Sequence, residues 1–438
     1  MLLTEVRSRP VQSALIAAGL VVTVLTVAGY MRDATTEYLM DLDVFRDAGW
    51  AFLHHTPLYT EGFFSHSGFR FIYPPFAAFL FAPMALVSSA VLQVVWTAGL
   101  IALVWWILQV VYRRLDVTRA GLVASATLGV VLALEPFRSN FAFGQINIVL
   151  MALVVADVLG VIPKRFRGVG IALAAAVKVT PAAFGLLLLL RRDLPSVARA
   201  FGAFIATVAF GYWLRPESTV FFWTEEFFAT DRAGDPGFFR NQALTGLIAR
   251  FDLSEGLSKA LWLVGAALIV AATAWAAYRF LRADEPVVAL AIVGLASLLA
   301  APIAVTHHWV YALLLVPLLV APRYRSWWPV LLPAALVFLA GPNHLLRDAS
   351  SRGWVEQLLL EVLGISQCLA AIAVFVAAVI AARSRRPALP EAGESDAREA
   401  VPAGEQPTVG DNTAGDSTVQ DQTTQDKKVQ DQTVDATR

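Results

Sequence analysis

The sequence predicts an all-α integral membrane protein with a polytopic bundle of about ten to twelve transmembrane helices. Hydrophobic residues make up 57% of the 438 residues and charged residues only 16%, and the mean hydropathy is +0.62. A soluble domain of this length carries considerably more charge, so lipid is the main solvent of this chain. The apolar residues are also gathered into separate runs, as a multi-pass protein requires.

Eleven apolar runs are candidate spans, because a helix that crosses ~30 Å of hydrocarbon needs roughly 20 apolar residues. They cover approximately residues 13–31, 90–112, 121–136, 147–162, 168–190, 196–214, 259–281, 286–305, 308–322, 327–341 and 355–382. Pro181 disfavours helical geometry at Thr180, so the run at 168–190 is predicted to form two short helices that meet at this break. The stretch Pro74 to Val87 is too short to cross, and we predict a re-entrant or interfacial path for it.

The charges of the linkers predict the orientation of the bundle. One set of linkers is basic and contains Arg113, Arg114, Arg119, Lys164, Arg165, Arg167, Arg191, Arg192, Arg199, Arg279, Arg282, Arg323, Arg325, Arg383, Arg385 and Arg386. The positive-inside rule places this set in the cytoplasm. The segments on the outer side are then 32–73, 137–146, 215–258, 306–308 and 342–354, of which 32–73 and 215–258 are the longest. The protein is therefore predicted to be a multi-pass plasma-membrane protein with both termini in the cytoplasm.

A change of composition at Ser384 divides the chain into two predicted domains. Residues 1–383 form the transmembrane domain, and residues 384–438 are rich in Pro, Glu, Gln, Asp and Thr. Such a segment cannot bury enough apolar surface to offset its ordering entropy, so we expect a disordered cytoplasmic tail.

Composition also excludes several classes of function. The 34 basic and 34 acidic side chains cancel, which leaves none of the basic excess that nucleic-acid binding requires. Cys368 is the only cysteine, so one chain can build neither a disulfide framework nor a cysteine metal site. No phosphate-binding P-loop is present, so soluble-nucleotide chemistry is not expected. The sequence offers no candidate metal ligands and we expect no bound cofactor, while metal dependence stays open.

The first external loop carries the most concentrated polar chemistry. Asp41, Asp43 and Asp47 lie close to Arg46, directly after a predicted membrane exit. A carboxylate there can act as a general base toward a sugar hydroxyl, and Arg46 can contact the substrate. The alternative interpretation is a solvated loop with local ion pairs.

Further candidate binding residues lie at the outer mouths of later spans. These candidates are Tyr73, Gln145, Asn147, Lys178, Asn241, Gln242, His307 and His308. Lys178 is costly in an apolar run unless it meets an anion such as a phosphate or extends to the interface. The amides can bind hydroxyl-rich ligands or cap helices, and Tyr73 can belong to an interfacial aromatic belt. Adjacent histidines do not share a helix face, so a two-histidine metal site is poorly supported.

Five short motifs in fixed order resemble glycosyltransferase family 87 of the GT-C superfamily. They are Asp41-Leu42-x-Val44-Phe45, Tyr73-Pro74-Pro75-Phe76, Gly144-Gln145-x-Asn147, Lys178-x-Thr180-Pro181 and Asn241-Gln242, and the resemblance covers roughly residues 13–380. The family often has a tyrosine where this chain has Phe45, so no hydroxyl function is expected there.

The resemblance implies a GT-C-type bundle that transfers mannose from a polyprenyl-phosphate donor, its co-substrate, to a glycolipid acceptor. It implies α-1,2 linkages to phosphatidylinositol mannosides, lipomannan or lipoarabinomannan, formed by an inverting displacement at the extracytoplasmic face. Asp41 matches the first-loop aspartate, with Asp43 as the other candidate base. His307 or His308 is implied at the donor site. The lipid bilayer is the expected environment, and the sequence names no protein partner.

Two other classes of protein share some of these features. A secondary transporter or lipid flippase would also contain broken helices and an intramembrane lysine. A non-catalytic envelope scaffold would have no need of Asp41.

Overall fold

Helices form nearly all of the regular structure of the protein. The computed structural model describes residues 2–59, 62–229, 234–347 and 353–386. Within these ranges the only β-pairing is an isolated antiparallel bridge between Asn241 and Val305. The all-α class predicted from the sequence is confirmed, whereas the predicted tail at 384–438 lies almost entirely outside the described residues, so its disorder and the domain boundary stay predictions.

Eighteen α-helices are present in the described part of the chain. They are α1 Leu2–Thr36, α2 Met40–Leu53, α3 Pro75–Phe81, α4 Ser89–Arg114, α5 Ala120–Ala133, α6 Glu135–Phe143, α7 Asn147–Val158, α8 Val169–Val177, α9 Gly185–Leu190, α10 Leu194–Leu214, α11 Pro216–Thr224, α12 Leu244–Ile248, α13 Glu255–Arg282, α14 Pro286–Leu299, α15 Leu315–Val320, α16 Trp328–Ala340, α17 Trp354–Gly364 and α18 Ser366–Ala382. Short 3₁₀ helices connect them, including Thr180–Phe184, Glu226–Phe228 and Thr306–His308.

Among the residues that the structure describes, four helices are long and apolar enough to cross a membrane: Pro10–Thr36 within α1, and the whole of α4, α10 and α13. The bent pairs α5/α6 and α17/α18 raise the number to six if each pair is one span. Every one of the eleven predicted runs coincides with a helix or a broken pair of helices. The polytopic membrane class is therefore confirmed, and the remaining runs form helices shorter than a full crossing.

Two predicted loops contain helices that the apolar runs did not reveal. α1 continues to Thr36 instead of ending near Met31, and α2 then begins inside the predicted loop at 32–73. The predicted external loop at 137–146 is largely α6, which is bent by 77° from α5. Both helices carry charged and amide side chains among their apolar residues, so they lack the uniform apolarity by which spans were chosen. The buried residues themselves include Asp43 and Asp47 of α2 and Glu135 and Asn140 of α6.

The break predicted at Lys178-x-Thr180-Pro181 is present. α8 ends at Val177, and a 3₁₀ turn from Thr180 to Phe184 precedes α9. The Asp157 carboxylate accepts hydrogen bonds at 2.8–3.0 Å from the backbone N–H groups of Gly168 and Ile171 at the other end of α8. A fully buried carboxylate thus satisfies amides that α8 cannot satisfy itself.

The linkers that were predicted to share the cytoplasmic side contact one another. Arg114 pairs with Asp284, and Arg199 donates to the carbonyl oxygens of Lys164 and Arg167 at 3.1 Å. The short apolar segment α3, by contrast, packs against α2, where the Cβ position of Gly49 would lie 2.3 Å from the Phe81 carbonyl oxygen. The structure therefore groups the basic linkers, and orientation in the membrane stays a prediction.

Candidate active site

Helix α2 determines which first-loop carboxylate can face the bundle. Asp41 and Asp43 both lie in its first turn, but residues two apart on an α-helix point roughly 200° away from each other. Asp43 is buried and accepts a hydrogen bond from the Tyr38 hydroxyl at 2.8 Å. Asp41 is half-buried on the other face, where Gln145 donates to it and Lys178 lies near it.

The turn between α6 and α7 brings Gln145 to Asp41. Gly144 ends α6 with a φ of 70°, a left-handed conformation that favours glycine. A Cβ atom at Gly144 would also lie 2.7 Å from the Cβ of Leu42, the residue after Asp41. The close approach of this turn to α2 therefore requires glycine for two reasons, and it places the buried Gln145 beside α2.

Lys178 lies at the break after α8 and completes a polar cluster. Its Nζ donates to Asn147 Oδ1 at 3.1 Å and lies 5.8 Å from the centre of the Tyr73 ring. The Tyr73 hydroxyl donates to Gln145 Oε1 at 3.4 Å. Residues from four separated parts of the sequence thus meet around Asp41.

The environment of Asp41 adjusts its basicity. Burial raises the pKa of the carboxyl group from 3.8 to about 6, and this effect exceeds the opposing effects of the Gln145 hydrogen bond and the Lys178 charge. Such a carboxylate is mostly ionised at neutral pH and is a stronger base than an exposed aspartate. This combination suits a general base.

His307 lies on the far side of Asn147 from Lys178. The Asn147 side-chain amide donates to the His307 carbonyl oxygen at 3.1 Å, and the imidazole contacts Phe143 edge-on with ring centroids 5.5 Å apart. His307 Nδ1 is buried and has no hydrogen-bond partner among the described residues. The His308 ring lies 4.7 Å from the His307 ring, so both candidates adjoin the cluster.

Three predicted binding residues have other contacts. Asn241 Oδ1 accepts hydrogen bonds from the Ala243 and Ala304 amides, and Gln242 Nε2 donates to the Gly364 carbonyl oxygen at 3.0 Å. Both side chains are fully buried. Arg46 donates to the Val87 carbonyl oxygen at 3.2 Å. These three side chains thus make hydrogen bonds to the protein backbone, and their role in substrate binding stays a prediction.

Comparison with known proteins identifies the family of this chain. Residues 71–302, which are more than half of the chain, match Glycosyltransferase family 87. The chain belongs to glycosyltransferase family 87. No solved structure matches the chain.

The relatives of this family 87 member are all named as polyprenol-phosphate-mannose-dependent mannosyltransferases. A "Polyprenol-phosphate-mannose-dependent alpha-(1-2)-phosphatidylinositol mannoside mannosyltransferase" of Mycolicibacterium smegmatis is 38% identical over 68% of this chain and 74% of its own length. A protein of the same name from Mycobacterium tuberculosis is 34% identical over 70% of this chain and 75% of its own length. A Mycolicibacterium smegmatis relative named for a pentamannoside acceptor is 32% identical over 67% of each chain.

Family membership confirms the resemblance seen in the five motifs and identifies a glycosyltransferase, which decides against a transporter or scaffold. The matched residues include Tyr73, Gln145, Asn147 and Lys178 but not Asp41. The assignment of Asp41 therefore depends on the geometry of the cluster.

Arg240 of this family 87 chain also adjoins the cluster, although it was not among the predicted site residues. Its guanidinium lies 4.9 Å from the centre of the Phe143 ring, and its charge acts on His307 together with that of Lys178. The backbone N–H of Gln242 donates to the Ala304 carbonyl oxygen at 3.0 Å, so the segment that carries Arg240 is held against the segment that precedes His307. Arg240 lies in the predicted loop at 215–258, which is mixed in charge, so neither a span nor a motif distinguished its guanidinium from the other charges of that loop.

One group of side chains in the described residues could hold a metal ion. Asp43, Asp47 and His66 bring one ligand atom each within 4.8 Å of one another. Asp47 accepts hydrogen bonds from the ring and backbone of His66 at 2.7 and 2.8 Å. These bonds, with the Tyr38–Asp43 bond, account for the arrangement without a metal.

Proposed function

We propose that this chain is a polyprenyl-phosphate-mannose-dependent α-1,2-mannosyltransferase of the cell membrane. The proposed acceptor is a lipid-linked mannoside, either a phosphatidylinositol mannoside or lipomannan or lipoarabinomannan. The descriptions of the family 87 relatives support the donor and the phosphatidylinositol mannoside acceptor. The main observation in support of the proposal is the polar cluster around Asp41. Burial raises the pKa of the Asp41 carboxyl group there, and the positive charge of Lys178 acts on the same group.

Asp41 is the proposed general base of an inverting displacement. Its carboxylate takes the proton of an acceptor hydroxyl while that oxygen attacks the anomeric carbon of the donor. The bond from the anomeric carbon to the lipid phosphate breaks, and the phosphate leaves with the electron pair. A β-linked donor then gives an α-linked product.

Lys178 is the proposed partner of the donor phosphate. An ammonium group in an apolar environment is stabilised by an anion, and the phosphate gains negative charge as it leaves. His307 and Arg240 flank the same cluster from the other side of Asn147. Gln145 and Tyr73 hold the Asp41 end of the site, where the Lys178 charge also acts on the carboxylate.

The proposed site faces the outside of the cell. The residues of the cluster come from the predicted external segments or from the predicted outer ends and breaks of spans, and the contacts among the basic linkers support a common cytoplasmic side. A donor held in the outer leaflet would then reach the site laterally from the lipid.

The test is mannosyl transfer by purified protein with labelled polyprenyl-phosphate mannose and a panel of mannosyl acceptors. The wild type should transfer mannose, and Asp41→Asn should lose about 10²- to 10⁴-fold in rate while donor binding persists. Asp43→Asn is the matched control and should retain most activity, because Asp43 bonds to Tyr38 on the opposite face of α2. Transfer that survives in Asp41→Asn but is abolished in Asp43→Asn would reverse the assignment of the base.

A further inference from the structure

A small cavity lies beside the proposed active site, between the first external loop and the turn after α11. Tyr59, Phe63 and Phe71 form apolar walls, and Arg70 and Glu226 supply charge. Tyr59 and Phe71 are buried and have ring centroids 5.9 Å apart. None of these five residues belongs to the Asp41 cluster.

Glu226 is the unusual feature of this cavity, because its carboxylate is only partly satisfied. The residue is 2% exposed, and its Oε2 accepts a hydrogen bond from Arg70 Nη2 at 3.1 Å. Its Oε1 is buried without a hydrogen-bond partner among the described residues. A buried carboxylate oxygen is costly when it accepts no hydrogen bond, so a donor from a bound molecule would stabilise it.

The composition of the cavity matches a hexose. A sugar ring presents hydroxyl donors at its edge and C–H groups on its faces, which suit a carboxylate and aromatic walls respectively. The Arg70 guanidinium, which pairs with Glu226, adds positive charge to the lining of the same cavity. We infer that this cavity, the Glu226 pocket, is a subsite for a second mannose of the acceptor glycan.

The Glu226 pocket adjoins the position where the acceptor hydroxyl must react. Phe71 lines the pocket and Tyr73 lines the Asp41 cluster, and their ring centroids are 5.6 Å apart. The Tyr59 hydroxyl donates to the Tyr73 carbonyl oxygen at 2.6 Å, which fixes the pocket wall to the cluster. An oligomannosyl acceptor can therefore hold one sugar at Asp41 and place the adjoining sugar at Glu226.

This inference rests on the proposed function. A comparison of acceptors of different length distinguishes a failure of the subsite from a failure of the proposed function. Purified protein is assayed with labelled polyprenyl-phosphate mannose and two acceptors, an alkyl monomannoside and an alkyl mannotrioside. Glu226→Gln should raise the KM for the trioside about tenfold, since a hydrogen bond to a charged group is weakened. Its KM for the monomannoside and its kcat should stay at wild-type values. Glu225→Gln, an exposed neighbour, is the matched control and should change neither constant.

The possible results have different meanings. If the wild type transfers mannose to neither acceptor, the proposed function fails. If it uses both, but Glu226→Gln keeps the wild-type ratio of the two KM values, only the subsite inference is overturned. If Glu226→Gln loses activity equally with both acceptors and also has a lower melting temperature, the Arg70–Glu226 pair only stabilises the fold. That result would also overturn the inference.

A second variant keeps the test decisive if Glu226→Gln does not fold. Ser65 is a half-buried residue of the pocket wall, and Ser65→Leu fills space there while both members of the Arg70–Glu226 pair are kept. It should raise the KM for the trioside and leave the monomannoside unaffected. A trioside KM that matches the wild type in a folded Ser65→Leu protein would overturn the inference.

Discussion

The pKa of Asp41 predicts an acid limb in the pH dependence of mannosyl transfer. Burial raises this pKa from 3.8 to about 6, and only the ionised carboxylate can accept the acceptor proton. The ionised fraction is then about nine-tenths at pH 7 and about one-tenth at pH 5, so kcat/KM should fall about tenfold between these pH values. An ordinary exposed aspartate would stay ionised throughout this range and give a flat profile.

Lys178 supplies the second part of this prediction. Its positive charge favours the ionised form of Asp41 and lowers the pKa of that carboxyl group. Lys178→Gln should therefore move the acid limb to higher pH. A loss of donor binding alone would change the KM without moving the limb, so the profile is measured at saturating donor.

The assay is initial-rate mannosyl transfer in detergent from pH 4.5 to 8, with donor and acceptor varied. Residual transfer by Asp41→Asn should show no limb near pH 6, and Asp43→Asn should retain it. A profile that is flat down to pH 5 in the wild type, or a limb that persists in Asp41→Asn, would refute Asp41 as the titrating base.

Three further predictions concern donor binding, orientation and stability. Lys178→Gln should raise the donor KM by about tenfold or more in a folded, inserted protein, and an unchanged donor KM would assign the lysine to the interface instead. A cysteine placed at His344 should react with an impermeant thiol reagent on intact cells and one at Arg165 should not, whereas the opposite pattern would invert the bundle. Asp157→Asn should destabilise the protein by about 2 kcal/mol, because an amide NH₂ would oppose the N–H groups at the start of α8. Thermal unfolding tests this against Asp116→Asn at an exposed turn, and equal melting temperatures would contradict the capping role.

Much of the candidate site could be predicted because its residues are chemically out of place in an apolar chain. Lys178 interrupts a hydrophobic run, and Gln145 and Asn147 introduce amides where a span begins. The structure joins these residues to Tyr73 and Asp41. Glu226 and Arg240 were missed because charged residues are common in external loops, and only their burial or neighbours make them informative.

The choice between Asp41 and Asp43 illustrates what local sequence leaves open. Both carboxylates belong to one motif and lie two residues apart. In an extended loop they would have similar surroundings, so either could act as the base. Once the segment is helical, the same separation sends them to opposite faces. α2 was not predicted because three aspartates and an arginine interrupt the apolar run that would indicate a span.

The sequence by itself determined the solvent of the protein, its helical class and its family. Apolar runs of membrane-crossing length leave the backbone no alternative to helix, since lipid offers no hydrogen bonds. Only the tertiary structure decided which polar side chains share an environment. Asp41, Lys178 and Glu226 are separated by more than 40 residues from one another, and their contacts depend on how helices pack, which periodicity does not encode. The raised pKa of Asp41 and the unsatisfied oxygen of Glu226 are consequences of that packing.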